Sequence, residues 1–221
     1  MILTSPVRSR NLDPMLEHLI LSVVNLSPHL VNVGVIAAEK LMQALARLSE
    51  PTVLLGGSLN WRACAWMLEA LETVVRKKYQ ENLNVIYSLC HNQRVIDQLR
   101  VQTFDAAMDS VQKRAHILRA KDANDDANGY YDTEVDPWEA RDDKWRPTEA
   151  WWHSWHHSLP TSTLVVLHGH LQPQIEQVTG HDAGQHWPEV LATIQGADVE
   201  GVLPPANEPP KRPFDFGAVR W

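Results

Sequence analysis

Cysteine is scarce in this chain of 221 residues, which has only Cys64 and Cys90. Both sit on apolar stretches and they form no C-x-x-C, so the expected setting is reduced and cytoplasmic. Basic charge is also short. Lys and Arg number 20 against 27 Asp and Glu, a net charge of -7. That balance leaves no generic basic footprint for nucleic acid. No stretch approaches the ~18 uninterrupted apolar residues of a membrane span. The opening "MILTSPVRSRNLDP" lacks the long apolar core of a signal peptide. Complete catalytic motifs are missing too. G-x-x-x-x-G-K-[ST] is absent, which excludes the NTPase P-loop, and so are G-x-G-x-x-G and H-E-x-x-H.

What is present is ample apolar material. Hydrophobic residues make up 44% and charged residues 21%, as in an ordinary globular protein with a real core. The chain suits one substantial domain with an extension. Tryptophan is abundant, with nine in all.

Residues 1–50 read as an N-terminal helical extension. Asp13 and Pro14 make a helix start, as N-cap and N1. Leu16, Leu19, Ile20, Val23 and Val24 follow at helical spacing, and Pro28 breaks the run. A second helix is expected from Val35 to Leu48. The pair is either a hairpin packed on the main domain or a dimerisation arm.

Residues 51–203 carry the fold signal. Thr52–Leu55, Leu83–Leu89 and Thr163–Leu167 are short apolar runs bounded by turn residues, as expected of buried strands. Helical stretches separate them at about 59–79 and 92–119. Strand, helix, strand, helix at this spacing predicts an α/β class. The architecture is a Rossmann-like three-layer domain with a mostly parallel sheet. Residues 121–160 read as a long acidic insertion rich in Trp and His, and residues 204–221 as an irregular Pro-rich tail. In the tail, Phe214, Phe216 and Trp221 suggest docking on the chain itself or on a partner.

The turn "VLLGGSLNW", Val53 to Trp61, is the main candidate site. After a parallel strand, glycines admit a ligand close to the backbone, and the next helix offers free N–H groups and its positive dipole end. Gly56, Gly57, Ser58 and Asn60 are the candidate ligand-binding residues there. His168, just past the third strand, should meet them at the C-terminal sheet edge. The alternatives are a plain chain reversal or an esterase elbow. Asn60 stands where G-x-S-x-G needs glycine, and the HG segment at His168 follows Ser58 rather than preceding it.

"TVLLGGSLNWRACAWMLEALE" resembles the first strand, glycine turn and helix of SLOG-type Rossmann-like proteins, in particular the YspA-related group. Gly56, Gly57, Ser58, Trp61, Leu68 and Leu71 carry the likeness. The group's second motif, a strand ending in H-G, has a counterpart in "LVVLHGH" at His168 and Gly169. The resemblance implies a nucleotide or nucleotide-derived ligand over the strand C-termini and leaves its hydrolysis open.

Other constellations are less complete. His153, His156 and His157 would share one face of a helix, a spacing compatible with metal binding or with packing. Asn124, Asp126, Asn128, Gly129 and Asp132 follow part of an EF-hand pattern, but Val135 stands where the bidentate Glu belongs. Two functions from different classes follow. One is binding of a nucleotide-like small molecule. The other is a non-enzymatic adaptor that holds a protein partner, or a second copy of itself, through the Trp-rich acidic segment and aromatic tail.

Overall fold

The computed structural model describes residues 14–125, 137–138, 145–179 and 187–205. Among these residues every regular element is helical and no strand is present. In chain order the α-helices are α1 (Pro14–Leu26), α2 (Val35–Leu48), α3 (Pro51–Leu54), α4 (Trp61–Lys77) and α5 (Leu83–His91). They continue with α6 (Gln93–Val101), α7 (Phe104–Asp125), α8 (Glu149–His156), α9 (Ser162–Thr179) and α10 (Trp187–Gly196).

The Rossmann-like expectation is therefore overturned. All three expected strands are helical: Thr52–Leu55 falls on the single turn α3 and its cap, Leu83–Leu89 on α5, and Thr163–Leu167 on α9. The physical reason lies in spacing. In α5 the buried apolar residues are Val85, Ile86, Leu89 and Cys90, which share one helical face, not alternate positions. In α9 Leu164, Leu167, Leu171 and Ile175 are buried at intervals of three and four. That stripe runs straight through Gly169 and Pro173. Pro51 at the first helical position favours α3, because its missing N–H is one that a helix start leaves unused.

The core forms around α4 and α5. α4 buries Cys64, Trp66, Met67, Leu68, Leu71, Val74 and Val75, so it is enclosed on most sides. α1 and α2 pack against it, α9 touches it, and α5 is flanked by α2, α9 and α10. α2 contributes Ala38, Met42, Leu45 and Leu48 to the same continuous core. Each fully buried Leu, Ile or Met side chain contributes roughly 1.5–3 kcal/mol. Arg76 and Lys77 close α4 at the end where the helix dipole favours cations.

Polar clamps fix the helices to one another. The Asn82 side chain donates to the Leu30 carbonyl at 2.8 Å and accepts from the Val33 N–H at 3.2 Å. Asn84 donates to the Val33 carbonyl at 2.9 Å, so the α4–α5 turn holds the segment leading into α2. Asn32 there has φ 55, a left-handed conformation that asparagine tolerates. On the other side, Arg76 donates to Glu72 at 2.9 Å, to the buried Thr163 hydroxyl at 2.6 Å and to the Pro204 carbonyl at 2.8 Å. Thr163 in turn donates to Glu72 at 2.6 Å. Tyr79 donates to the Ile194 carbonyl at 2.7 Å.

Candidate interaction surface

The glycine turn joins two helices, α3 and α4, not a strand and a helix. Two of its N–H groups are spent within the turn. The Gly56 N–H donates to the Val53 carbonyl and the Asn60 N–H to Gly57, at 3.1 and 3.3 Å. The buried Asn60 side chain donates to the Val53 carbonyl at 2.8 Å. Gly56 is required by space. A Cβ there would stand 2.9 Å from the Thr52 carbonyl oxygen and 3.2 Å from that of Val53.

What faces the turn is indole. Trp138 and Trp145 each donate Nε1–H to the Leu55 carbonyl at 3.2 Å, and Trp151 donates to the Ser58 carbonyl at 3.2 Å. The turn thus presents acceptors to the Trp-rich segment. Thr148 caps α8 by accepting from the Trp151 N–H, and α8 then stacks its aromatic rings on the end of α4. Trp61 and Trp155 lie parallel with centroids 5.4 Å apart, Trp155 meets Trp152 at 4.8 Å, and Trp152 stacks on His156 at 4.6 Å. Trp138, Trp152 and Trp155 are buried. Trp155 Nε1 is buried without an acceptor, a cost of about 1–3 kcal/mol that the packing of its ring offsets.

The expected site residues are not gathered at a sheet edge, because no sheet exists among the described residues. Gly56, Gly57, Ser58 and Asn60 stay together in the turn. His168 sits within α9, half-buried, and the principal neighbours of α9 are α4, α5, α6 and α10. The two histidines of α8 and His157 at its C-cap split. His153 and His157 stack, with Nδ1 and Nε2 3.3 Å apart, while His156 turns inward and bonds the Leu99 carbonyl at 2.8 Å. Burial lowers the His156 pKa, opposed by the Leu99 bond and aided by the neighbouring His157 and His153. Among the described residues no group of three or more acidic, Cys or His side chains is arranged to hold a metal ion. The partial EF-hand pattern lies mostly outside the described residues, as do Phe214, Phe216 and Trp221. Cys64 and Cys90 are free and buried, and burial pushes both thiols up to about 12. No helix among the described residues is long and apolar enough to cross a membrane.

A different surface stands out. Eleven large apolar side chains are exposed among the described residues, and seven of them lie between Met15 and Ile36. Met15, Leu19 and Leu26 share the outer face of α1, at intervals of four and seven residues, with Leu16 beside them. Val31, Val35 and the 75% exposed Ile36 continue the stretch into α2. The sequence signal for this face was available. The first helix carries apolar residues at more positions than one buried stripe can use.

Comparison with known proteins gives the family. The family model for Hid1, the high-temperature-induced dauer-formation protein, matches residues 6–140. Protein HID1 of Mus musculus is 28% identical over 90 residues, which is 41% of this chain and 11% of that protein. Protein HID1 of Dictyostelium discoideum is 31% identical over 84 residues, covering 37% of this chain and 9% of that one. The Ubp5-interacting protein ftp105 of Schizosaccharomyces pombe is 25% identical over 107 residues, covering 48% and 12%. The chain therefore aligns with only about a tenth of the length of these curated relatives. No solved structure matches. The likeness to SLOG-type proteins at the glycine turn is overturned by these matches, since the turn lies inside the matched segment and joins helices. The match covers more than half of the 221 residues, and the chain belongs to the Hid1 family.

Proposed function

We propose that this chain is a non-enzymatic binding module that holds a protein partner on the outer face of α1 and the first turn of α2, in a cytoplasmic setting. The observation that carries the reading is the concentration of exposed apolar side chains between Met15 and Ile36. Clustered apolar surface on a folded protein is a recurrent mark of a partner site. A relative named for its interaction with Ubp5 supports the same class of function. The Trp-rich segment is a poorer candidate, since Trp138, Trp152 and Trp155 are buried in the chain's own core. Neither the site geometry nor the comparisons support a nucleotide ligand.

The test is binding of the purified chain to immobilised Ubp5, the protein for which that relative is named. Leu19→Asp and Ile36→Asp should each weaken binding about tenfold or more, which corresponds to ~1.4 kcal/mol. Trp151→Ala, on the other surface, should leave it unchanged. No binding, or binding indifferent to the two aspartates, would overturn the proposal. Self-association that Leu19→Asp abolishes, without Ubp5 binding, would assign the face to a second copy instead.

A further inference from the structure

We propose that the cavity between α2, α5 and α10 receives an arginine side chain of the partner. This rests on the reading that the chain binds a protein. The cavity has a volume of about 430 Å3, within the roughly 300–1,000 Å3 range of small-ligand clefts. Its aromatic walls are Tyr87 and His91 from α5 and Trp187 from α10. Tyr87 stands edge-to-face with Trp187, centroids 4.6 Å apart at 84°. It lies nearly parallel to His91 at 5.8 Å and 12°. Val35, Glu39 and Gln43 from α2 also line it, with Ser88 of α5 and Asn92 at the end of that helix.

Three polar groups of this cavity have no partner among the described residues. No ion pair or hydrogen bond engages the Glu39 carboxylate among the described residues, nor the Tyr87 hydroxyl nor the Trp187 indole N–H. The nearest lysine on the helix, Lys40, donates to Gln43 at 2.8 Å instead. A carboxylate beside aromatic faces, with no cation paired to it among the described residues, is built for a cation. Arginine fits better than the alternatives. Its planar guanidinium stacks on rings and also gives a carboxylate two parallel N–H bonds. A trimethylated ammonium has no N–H for Glu39, and a lysine ammonium has no plane to stack. Val35 belongs both to the cavity lining and to the exposed apolar stretch, so one partner segment can occupy both. The net charge of -7 favours a basic segment as well.

The experiment follows the indole Nε1–H signal of Trp187 in the 15N-labelled full chain, assigned by its loss in Trp187→Phe. The probes are Nα-acetyl-arginine amide, its citrulline counterpart (the same shape without the charge) and the trimethyl-lysine amide. A saturable shift with the arginine compound is expected, with none from citrulline and about tenfold weaker binding in Glu39→Gln. Glu39 is exposed on α2, so this variant keeps the fold, which unchanged signals elsewhere would verify. No shift, an equal response to citrulline, indifference to Glu39→Gln, or tighter binding of trimethyl-lysine would overturn the proposal. Ubp5 binding with a silent arginine titration would remove the cavity's role and leave the partner reading standing. An arginine response lost in Glu39→Gln, without Ubp5 binding, would support the cavity and count against that partner.

Discussion

The Leu55 carbonyl offers a quantitative test of how the Trp-rich segment is held. Leu55 is 1% exposed, and its carbonyl accepts from two indoles, Trp138 and Trp145. Trp138→Phe or Trp145→Phe keeps an aromatic ring but removes one donor. The other indole still satisfies the oxygen. Each single change should therefore cost about 0.5–1.5 kcal/mol for its hydrogen bond, plus the packing lost with the smaller ring. The double variant is different in kind. It strands a buried carbonyl with neither protein nor water to bond, a penalty of about 1–3 kcal/mol that neither single variant incurs. The double-mutant cycle should thus be more destabilising than the sum of its singles by about 1 kcal/mol or more. Urea unfolding followed by far-UV circular dichroism reads this without relying on tryptophan emission. Additivity within ~0.5 kcal/mol would refute the shared acceptor.

Three further outcomes follow from the same contacts. Gly56→Ala should destabilise by about 1–3 kcal/mol, because its Cβ meets backbone oxygen at 2.9 Å, whereas Gly169→Ala, in open space on α9, should stabilise by roughly 0.5–1 kcal/mol. Thermal denaturation of the two variants should therefore shift in opposite directions, and a shift of the same sign would contradict both assignments. His156 gives a pH signature. Its pKa is lowered in the fold from the ordinary 6.5, so the unfolded chain binds the proton first as pH falls. Stability is unaffected above that value and drops below it, by at most about 1.4 kcal/mol per pH unit, until the folded imidazole also titrates. Denaturant titrations between pH 8 and about 5 should show this component in the parent chain and not in His156→Gln; equal pH profiles would refute it. Finally, Cys64 and Cys90, with thiols pushed up to about 12, should resist iodoacetamide in the native chain and react only as fast as it unfolds. Rapid native labelling at either would show that the core around α4 and α5 is open.

Much of the helical structure was legible because its apolar residues recur at three and four. The stripe from Trp61 through Leu68 to Val75 became α4, and Leu41, Leu45 and Leu48 became part of α2. The class was misread at the short runs. Seven residues such as "LNVIYSL" are compatible with a strand or two helical turns, and a short apolar run between turn residues points to the strand. Tertiary burial on several sides then decided for the helix. Gly169 and Pro173 concealed the length of α9, since both ordinarily end a helix. Pro173 removes a bond to residue 169, a position where glycine adds no side chain to the crowding. The helix expected at 92–119 is in fact α6 and α7, broken at Gln102 and Thr103.

The candidate site was legible only as a question. Gly56 marks a tight turn, but nothing in its neighbours announces that tryptophans 83 to 93 residues away along the chain would supply its partners. That pairing is a property of the tertiary fold. The cavity lined by Glu39, Tyr87 and Trp187 draws on three separate helices, and no local motif links them.

The central claim is that the three apolar runs are helical, with no sheet among the described residues to carry a nucleotide edge. The 13Cα secondary chemical shifts of Val53, Ile86 and Val165 test it directly, one residue from each run. The account predicts positive values at all three, as in helices. Negative values at Ile86 and Val165, as in strands, would contradict it and return the chain to the α/β class.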